Sequence, residues 1–308
     1  HRDFATGAGV VAVIDTGVDP NHPALKQWLN SGYDFIRDVA GPASEWPDLD
    51  QSTAAILEQS TAAILEQSTA AILEGKSVVF VNQSTAAILE QSTAAILETN
   101  QLPPAFGHGT MIAGIIHLVA PEAKIMPLKA FNADGTANAF DIVRAIYFAV
   151  ENGANVINMS FSMAEFSPEV MRAINYATRQ GVICVASVGN NGESVLVYPA
   201  ALGNVLGTAA TTNEDLRTQF SNFGADLVSV TAPGEGIVTT YPGGNYAATW
   251  GTSFSTALVS GAVALMLEIE IKTNYYQALD ALSLSTQSIS PELGYGRIDL
   301  YDALLQRR

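Results

Sequence analysis

The chain has 308 residues, 48% of them hydrophobic, with a formal net charge of −16 and one cysteine, Cys184. That much apolar material supports a sizeable core. A single cysteine excludes an internal disulfide framework and a multi-Cys zinc site, and the four scattered histidines offer no metal cluster, so the metal expectation is none. The acidity argues against nucleic acid or an anionic membrane as partner.

Val10-Val11-Ala12-Val13-Ile14 is a continuous, β-branched apolar run that stops at Asp15-Thr16-Gly17, the pattern of a central parallel strand. Only one glycine follows it, which rejects a dinucleotide-binding turn. Asp15 then reads either as a turn residue or as a carboxylate at the sheet's C-terminal edge, where α/β proteins place their chemistry. From Gln51 the character changes. Gln-Ser-Thr-Ala-Ala-Ile-Leu-Glu occurs at 51–58, 59–66, 67–74, 83–90 and 91–98, and the slot 75–82 keeps the frame. An eight-residue period turns its Ile-Leu pair by roughly 80° per copy on an α-helix, so it makes no straight stripe, whereas strands would preserve the pattern. Short helices, hairpins and strands all stay open for 51–98. The five copies hold no His, Cys, Lys, Arg or aromatic residue, which favours an inserted spacer or flap over chemistry.

Beyond the octads, Gly107-His108-Gly109-Thr110 opens an apolar helix with small residues at 109, 113 and 114. A histidine in the first turn is favoured neutral, the form a general base needs. Strand and helix then alternate: Lys124 to Leu128, Phe140 to Asn152 ended by Gly153, Asn155 to Phe161, and a helix with Ser167 as cap, Pro168 at its first position and Gly181 at its end. Val182 to Ala186 is a buried strand in which Cys184 reads as a core residue. Val205 to Ala210 and Asp226 to Thr231 are strand-like, and Tyr295 to Asp299 lead into a terminal helix. Repeated units of this kind predict an α/β fold: a three-layer, doubly wound, mainly parallel sheet with helices on both faces. No apolar run approaches a membrane span, and no basic-then-apolar start marks a secretion signal.

Gly251-Thr252-Ser253 stands at the mouth of an apolar helix, where Ser253 reads as an N-cap or as a nucleophile beside unpaired backbone N–H groups. Asp15, His108 and Ser253 follow one another in the chain order that subtilisin uses for acyl transfer. Asp15-Thr16-Gly17-Val18-Asp19, His108-Gly109-Thr110 and Gly251-Thr252-Ser253 closely resemble the three signature motifs of the subtilisin-like serine peptidases. The likeness covers 1–50 and 99–308, which implies a single peptidase domain over 1–308 with 51–98 inserted in it.

The resemblance implies a serine endopeptidase in which Ser253 attacks, His108 is base then acid, Asp15 orients it and Asn190 of Gly189-Asn190-Asn191-Gly192 is the oxyanion donor. It implies substrate-binding positions at Gly135, Ser160, Phe161, Ser162, Val197 and Thr252, and an extended polypeptide substrate paired between Ile157-Asn158-Met159-Ser160 and Gly135-Thr136-Ala137. Phe161 and Val197 stand where many relatives have glycines, so a bulkier rim and a shallow primary pocket are expected. Tyr198-Pro199 falls where the family has a cis proline. Ile115 to Pro121 is short where relatives insert a calcium loop, so any calcium site is expected weak or absent, and no cofactor is required. Only 14 residues precede Asp15, which suggests a mature domain whose propeptide has been removed; the family favours secretion, with an intracellular site left open. The rival readings are an inactive scaffold occluded by the octads and a peptide acyl-transferase.

Overall fold

The structure is a computed structural model that describes residues 5–49, 102–270, 273–286 and 289–305. The octads at 51–98 lie outside the described residues. The strands are β1 (Val10–Asp15), β2 (Gly32–Asp34), β3 (Val39–Gly41), β4 (Lys124–Lys129), β5 (Val156–Met159), β6 (Ile183–Ser187), β7 (Val205–Thr211), β8 (Val230–Pro233), β9 (Glu235–Tyr241) and β10 (Asn245–Trp250). The helices are α1 (His108–Val119), α2 (Ala139–Glu151), α3 (Pro168–Arg179), α4 (Thr252–Ile269), α5 (Tyr275–Leu284) and α6 (Leu300–Leu305).

Eight strands form one sheet in the order β3-β2-β4-β1-β5-β6-β7-β8. All neighbours are parallel except β2 and β3, an antiparallel edge ribbon. β1 shows why the central strands read as unbroken apolar runs. Val11 and Val13 lie in the core shared with α1 and α4, while Ala12 and Ile14 lie in the core shared with α2 and α3. A strand covered by helices on both faces has no polar side to show. The same alternation puts Cys184 of β6 in the α2/α3 layer, where burial pushes its thiol up to about 12 and leaves it inert.

Three elements were not foreseen from the sequence: the β2–β3 ribbon, the antiparallel β9–β10 hairpin and α5. The strand expected over Asp226 to Thr231 is displaced: β8 starts at Val230, because Leu227 and Val228 hydrogen-bond back to Gly224 in a turn. α4 also corrects an expectation. Its 18 residues are long and apolar enough, by length and composition, to cross a membrane, yet 83% of them are buried inside the molecule. It is the central core helix, and Gly261 lets it close on α1, since a Cβ there would stand 2.7 Å from Val119 Cβ. Ile115 to Val119 form the end of α1, with Ile115, Ile116 and Val119 buried.

β1, β5 and β6 all run toward one edge of the sheet, which receives Asp15, Ser160 and the loop after Ser187. α1 and α4 begin at that edge. Their N-termini bring histidine and serine to the ends of the strands.

Candidate active site

Asp15 is the last residue of β1 and His108 the first of α1, and both side chains are fully buried. His108 Nδ1 lies 2.7 and 2.9 Å from the two carboxylate oxygens of Asp15. A carboxylate can only accept, so Nδ1 carries the proton and Nε2 is left as the basic nitrogen. Close approach of α1 to the turn after β1 makes this pairing, and it depends on Gly109: a Cβ there would stand 1.9 Å from the Gly17 carbonyl oxygen. His108 Nε2 is buried and has no hydrogen-bond partner among the described residues.

Ser253 stands in the first turn of α4, 4% exposed. The turn into α4 needs Gly251, whose φ of 148° is one that other residues rarely adopt. Phe254, the next residue, packs against the His108 ring at a centroid distance of 5.7 Å, so the serine helix begins beside the imidazole. The hydroxyl of Ser253, however, donates to the Ser160 carbonyl at 3.0 Å and not to His108. Ser160 answers with its own hydroxyl, which donates to the Ser253 carbonyl at 2.9 Å. Asn158 Nδ2 donates to Ser160 Oγ, and Asn158 Oδ1 accepts from Ser260 Oγ, each at 2.9 Å. The end of β5 and the first three turns of α4 are thereby stitched together by buried side chains.

Asn190 is placed by Thr252. Its Oδ1 accepts from the backbone N–H and from the hydroxyl of Thr252, both at 2.9 Å. With the oxygen engaged, the amide NH2 is the end left to donate, the orientation an oxyanion requires. Thr252, expected as a substrate contact, here orients Asn190.

The expected pocket residues are dispersed in character. Phe161 is buried and tilts against Phe131 at 5.0 Å, so its ring belongs to the core; Ser162 and Val197 are also buried. Met163 and Tyr198 exchange backbone hydrogen bonds of 2.6 and 2.8 Å, which fixes the strand after Ser160 against the loop carrying Val197. The Tyr198-Pro199 bond is cis. Gly135 sits in a tight turn with φ 88°, within a hairpin closed by the Phe131–Ala137 bridge. No hydrogen bond ties Gly135 to the Ser160 strand among the described residues; the Phe131–Phe161 contact joins the two.

Two buried charged residues escaped sequence reasoning. Lys129, in register with Asp15 on the neighbouring β4, donates to Asp48 Oδ2 at 2.6 Å and to the carbonyls of Thr16 and Phe131 at 2.7 and 2.8 Å. Asp48 also receives Arg37 at 2.5 Å. Glu45 is fully buried beneath the Asp15 turn. It takes Thr16 Oγ1 and Thr110 Oγ1 at 2.5 Å each and Gly109 N at 3.2 Å. Burial pushes its carboxyl up to about 8, against the lowering pull of the two threonine hydroxyls. A cation directly after an apolar strand was a usable signal for Lys129. A lone Glu in Ala-Ser-Glu-Trp carried none.

The model of the subtilase family matches residues 7–296. The chain belongs to the subtilase family. It is 32% identical over 96% of its length to a thermophilic serine proteinase of Bacillus sp. (strain AK1), of which it spans 61%, so that relative is considerably longer. It is 35% identical to subtilisin BL of Lederbergia lenta over 62% of this chain and 74% of that one. Among solved structures, a lanthipeptide protease superposes with a TM-score of 0.74 at 22% identity, covering 100% of this chain and 90% of the other, a likeness of fold. Members of this family are serine peptidases that act on peptides without a catalytic cofactor. Among the described residues no group of three or more His, Cys, Asp or Glu stands together as a metal site.

Proposed function

We propose that residues 1–308 form one serine endopeptidase domain, with 51–98 as an insertion, in which Asp15, His108 and Ser253 carry out acyl transfer and Asn190 supports the oxyanion. The observation that carries this reading is His108: Nδ1 is held by Asp15 while the buried Nε2 has no partner among the described residues, next to the start of the serine helix. A base so placed is free to take one proton. Ser253 Oγ would turn from the Ser160 carbonyl toward Nε2, lose its proton there and attack the peptide carbonyl. The imidazolium then gives that proton to the leaving amine. Asp15 stays ionised and stabilises the charge that forms on the ring. The Asn190 amide and the backbone N–H of Ser253, one of the donors a helix N-terminus leaves unpaired, would hold the developing oxyanion. Water repeats the sequence on the acyl-enzyme.

A serine-directed fluorophosphonate should label the protein on Ser253, and Ser253→Ala should abolish labelling and lower kcat on the order of 10⁶-fold. Labelling that survives Ser253→Ala would refute the proposal. Among the described residues the site offers no feature that favours an inactive scaffold or transfer to amines. For the substrate, the backbone between Ser160 and Ser162 and the Phe131–Ala137 hairpin are the strand edges that an extended peptide would join. The bulk of Val197, in the loop fixed against the strand after Ser160, supports a shallow primary pocket for small or medium apolar residues. A peptide panel with best cleavage after Phe, Tyr or Arg would overturn that preference.

A further inference from the structure

Glu45 has no place in the chemistry above, yet it is fully buried and touches the triad through a single hydroxyl. Thr16 Oγ1 lies 2.5 Å from Glu45 Oε1 and 3.3 Å from Asp15 Oδ1, and it accepts the Gly109 N–H at 3.0 Å. A threonine hydroxyl has one proton to give and two lone pairs. With Gly109 on one lone pair, the proton must go to one carboxylate or to the other. We propose that Glu45 is a positioning residue of the triad: its protonation state decides, through Thr16, whether Asp15 receives an additional hydrogen bond. This rests on the reading of Asp15 and His108 as the catalytic pair.

When Glu45 is ionised, the Thr16 proton goes to Glu45, and among the described residues Asp15 keeps the Thr16 backbone N–H at 2.7 Å and His108. When Glu45 is protonated on Oε1, its proton occupies the second lone pair of Thr16, and the Thr16 hydroxyl turns to Asp15. Thr110 does not offer the same exchange. Its oxygen likewise accepts one N–H, from Asp19 at 2.7 Å, but among the described residues Glu45 Oε2 is the only acceptor for its proton, so it has no second carboxylate to turn to. An extra donor on Asp15 makes it a weaker acceptor for the imidazolium that forms in the transition state. A second negative charge beside Asp15 acts in the opposite direction. Both effects therefore favour the triad when Glu45 is ionised.

The groups facing Glu45 are Asp15 on β1, Lys129 on β4, the Tyr241 phenol on β9, and the Thr110 and Gly109 donors of α1. The ammonium of Lys129 is already committed to Asp48 and two carbonyls. Desolvation therefore dominates, and the carboxyl changes state near pH 8. The chain thus has a proton switch set one residue away from its catalytic carboxylate.

The test is kcat against pH between 7 and 9, with the His108 Nδ1–H proton resonance followed over the same range. The wild type should rise about tenfold in kcat through pH 8 with KM unchanged, the lower end of what one hydrogen bond to a charged group is worth in the transition state. The Nδ1–H resonance should shift in the same step. Glu45→Gln, a permanently neutral isostere, should match the wild type at pH 7 and show neither step. Thr16→Val should lose the step as well, and Thr16→Ser, which keeps the hydroxyl, should restore it. A step that persists in Glu45→Gln or Thr16→Val overturns the inference, as does a wild type without one. Failure of the triad reading shows separately, as hydrolysis that survives Ser253→Ala.

Discussion

Asp15 and His108 are joined at 2.7 and 2.9 Å with neither side chain exposed, whereas Ser253 gives its hydroxyl proton to the Ser160 carbonyl and leaves His108 Nε2 without a partner among the described residues. The two halves of the proposed catalytic unit are prepared to different degrees, for a physical reason. A carboxylate and an imidazole drawn fully out of water each lose solvation, and only a direct hydrogen bond between them offsets that loss. A neutral hydroxyl loses far less, so a backbone carbonyl is partner enough. The charged half is thus fixed by folding, and the neutral half is free to be aligned by the substrate.

Removing the fixed half should break the unit most severely. Asp15→Asn keeps the shape but presents an amide to His108 Nδ1, which favours the wrong tautomer and leaves Nε2 protonated. We expect kcat to fall by about 10⁴-fold with little change in KM; a loss under tenfold would mean that Asp15 does not set the tautomer. A smaller loss should follow on the serine side. Asn190→Ala removes a donor whose orientation is already set by the two Thr252 hydrogen bonds, and should lower kcat by about 10²–10³-fold, again with KM nearly constant. If KM rose and kcat held, Asn190 would be a ground-state substrate contact and the oxyanion assignment would be wrong.

The same contrast explains what the sequence disclosed. Asp15 ends an unbroken apolar run, and His108 and Ser253 each open a largely apolar helix, so local pattern marks them as polar residues at the edge of a buried layer. Asn190 lies in a glycine-rich loop that is locally an ordinary turn, and only likeness to a family singles it out. Glu45 and Lys129 remained hidden because a lone charged residue reads as surface unless its partners are known, and their partners are far away in sequence: Thr110 for Glu45 and Asp48 for Lys129. The parallel sheet was legible from β-branched runs alternating with helical ones. The β9–β10 hairpin was not, since Glu235 to Tyr241 mixes glycine and threonine without clean alternation, although Pro242-Gly243-Gly244 supplies the turn. At Phe161 local reading placed a bulky rim residue, and packing on Phe131 drew the ring into the core.

The mildest test bears on how the free half is kept in reach. Ser260 lies two turns into α4, away from the reacting atoms, and among the described residues its one side-chain hydrogen bond is donated to Asn158 Oδ1. Ser260→Ala leaves that buried amide oxygen unpaired, which should cost about 1–3 kcal/mol of stability. Asn158 would still donate to Ser160, and Ser160 would still hold the Ser253 carbonyl. Labelling by a fluorophosphonate at saturating concentration should therefore change by less than about threefold, since a 0.6 kcal/mol difference is about that factor in rate. Urea unfolding and labelling rate measured on the same variant separate the two contributions. If stability holds while labelling collapses, the chain from Ser260 through Asn158 to Ser160 acts on the nucleophile's alignment; if both hold, the buried oxygen has found another donor and the stitch between β5 and α4 is dispensable.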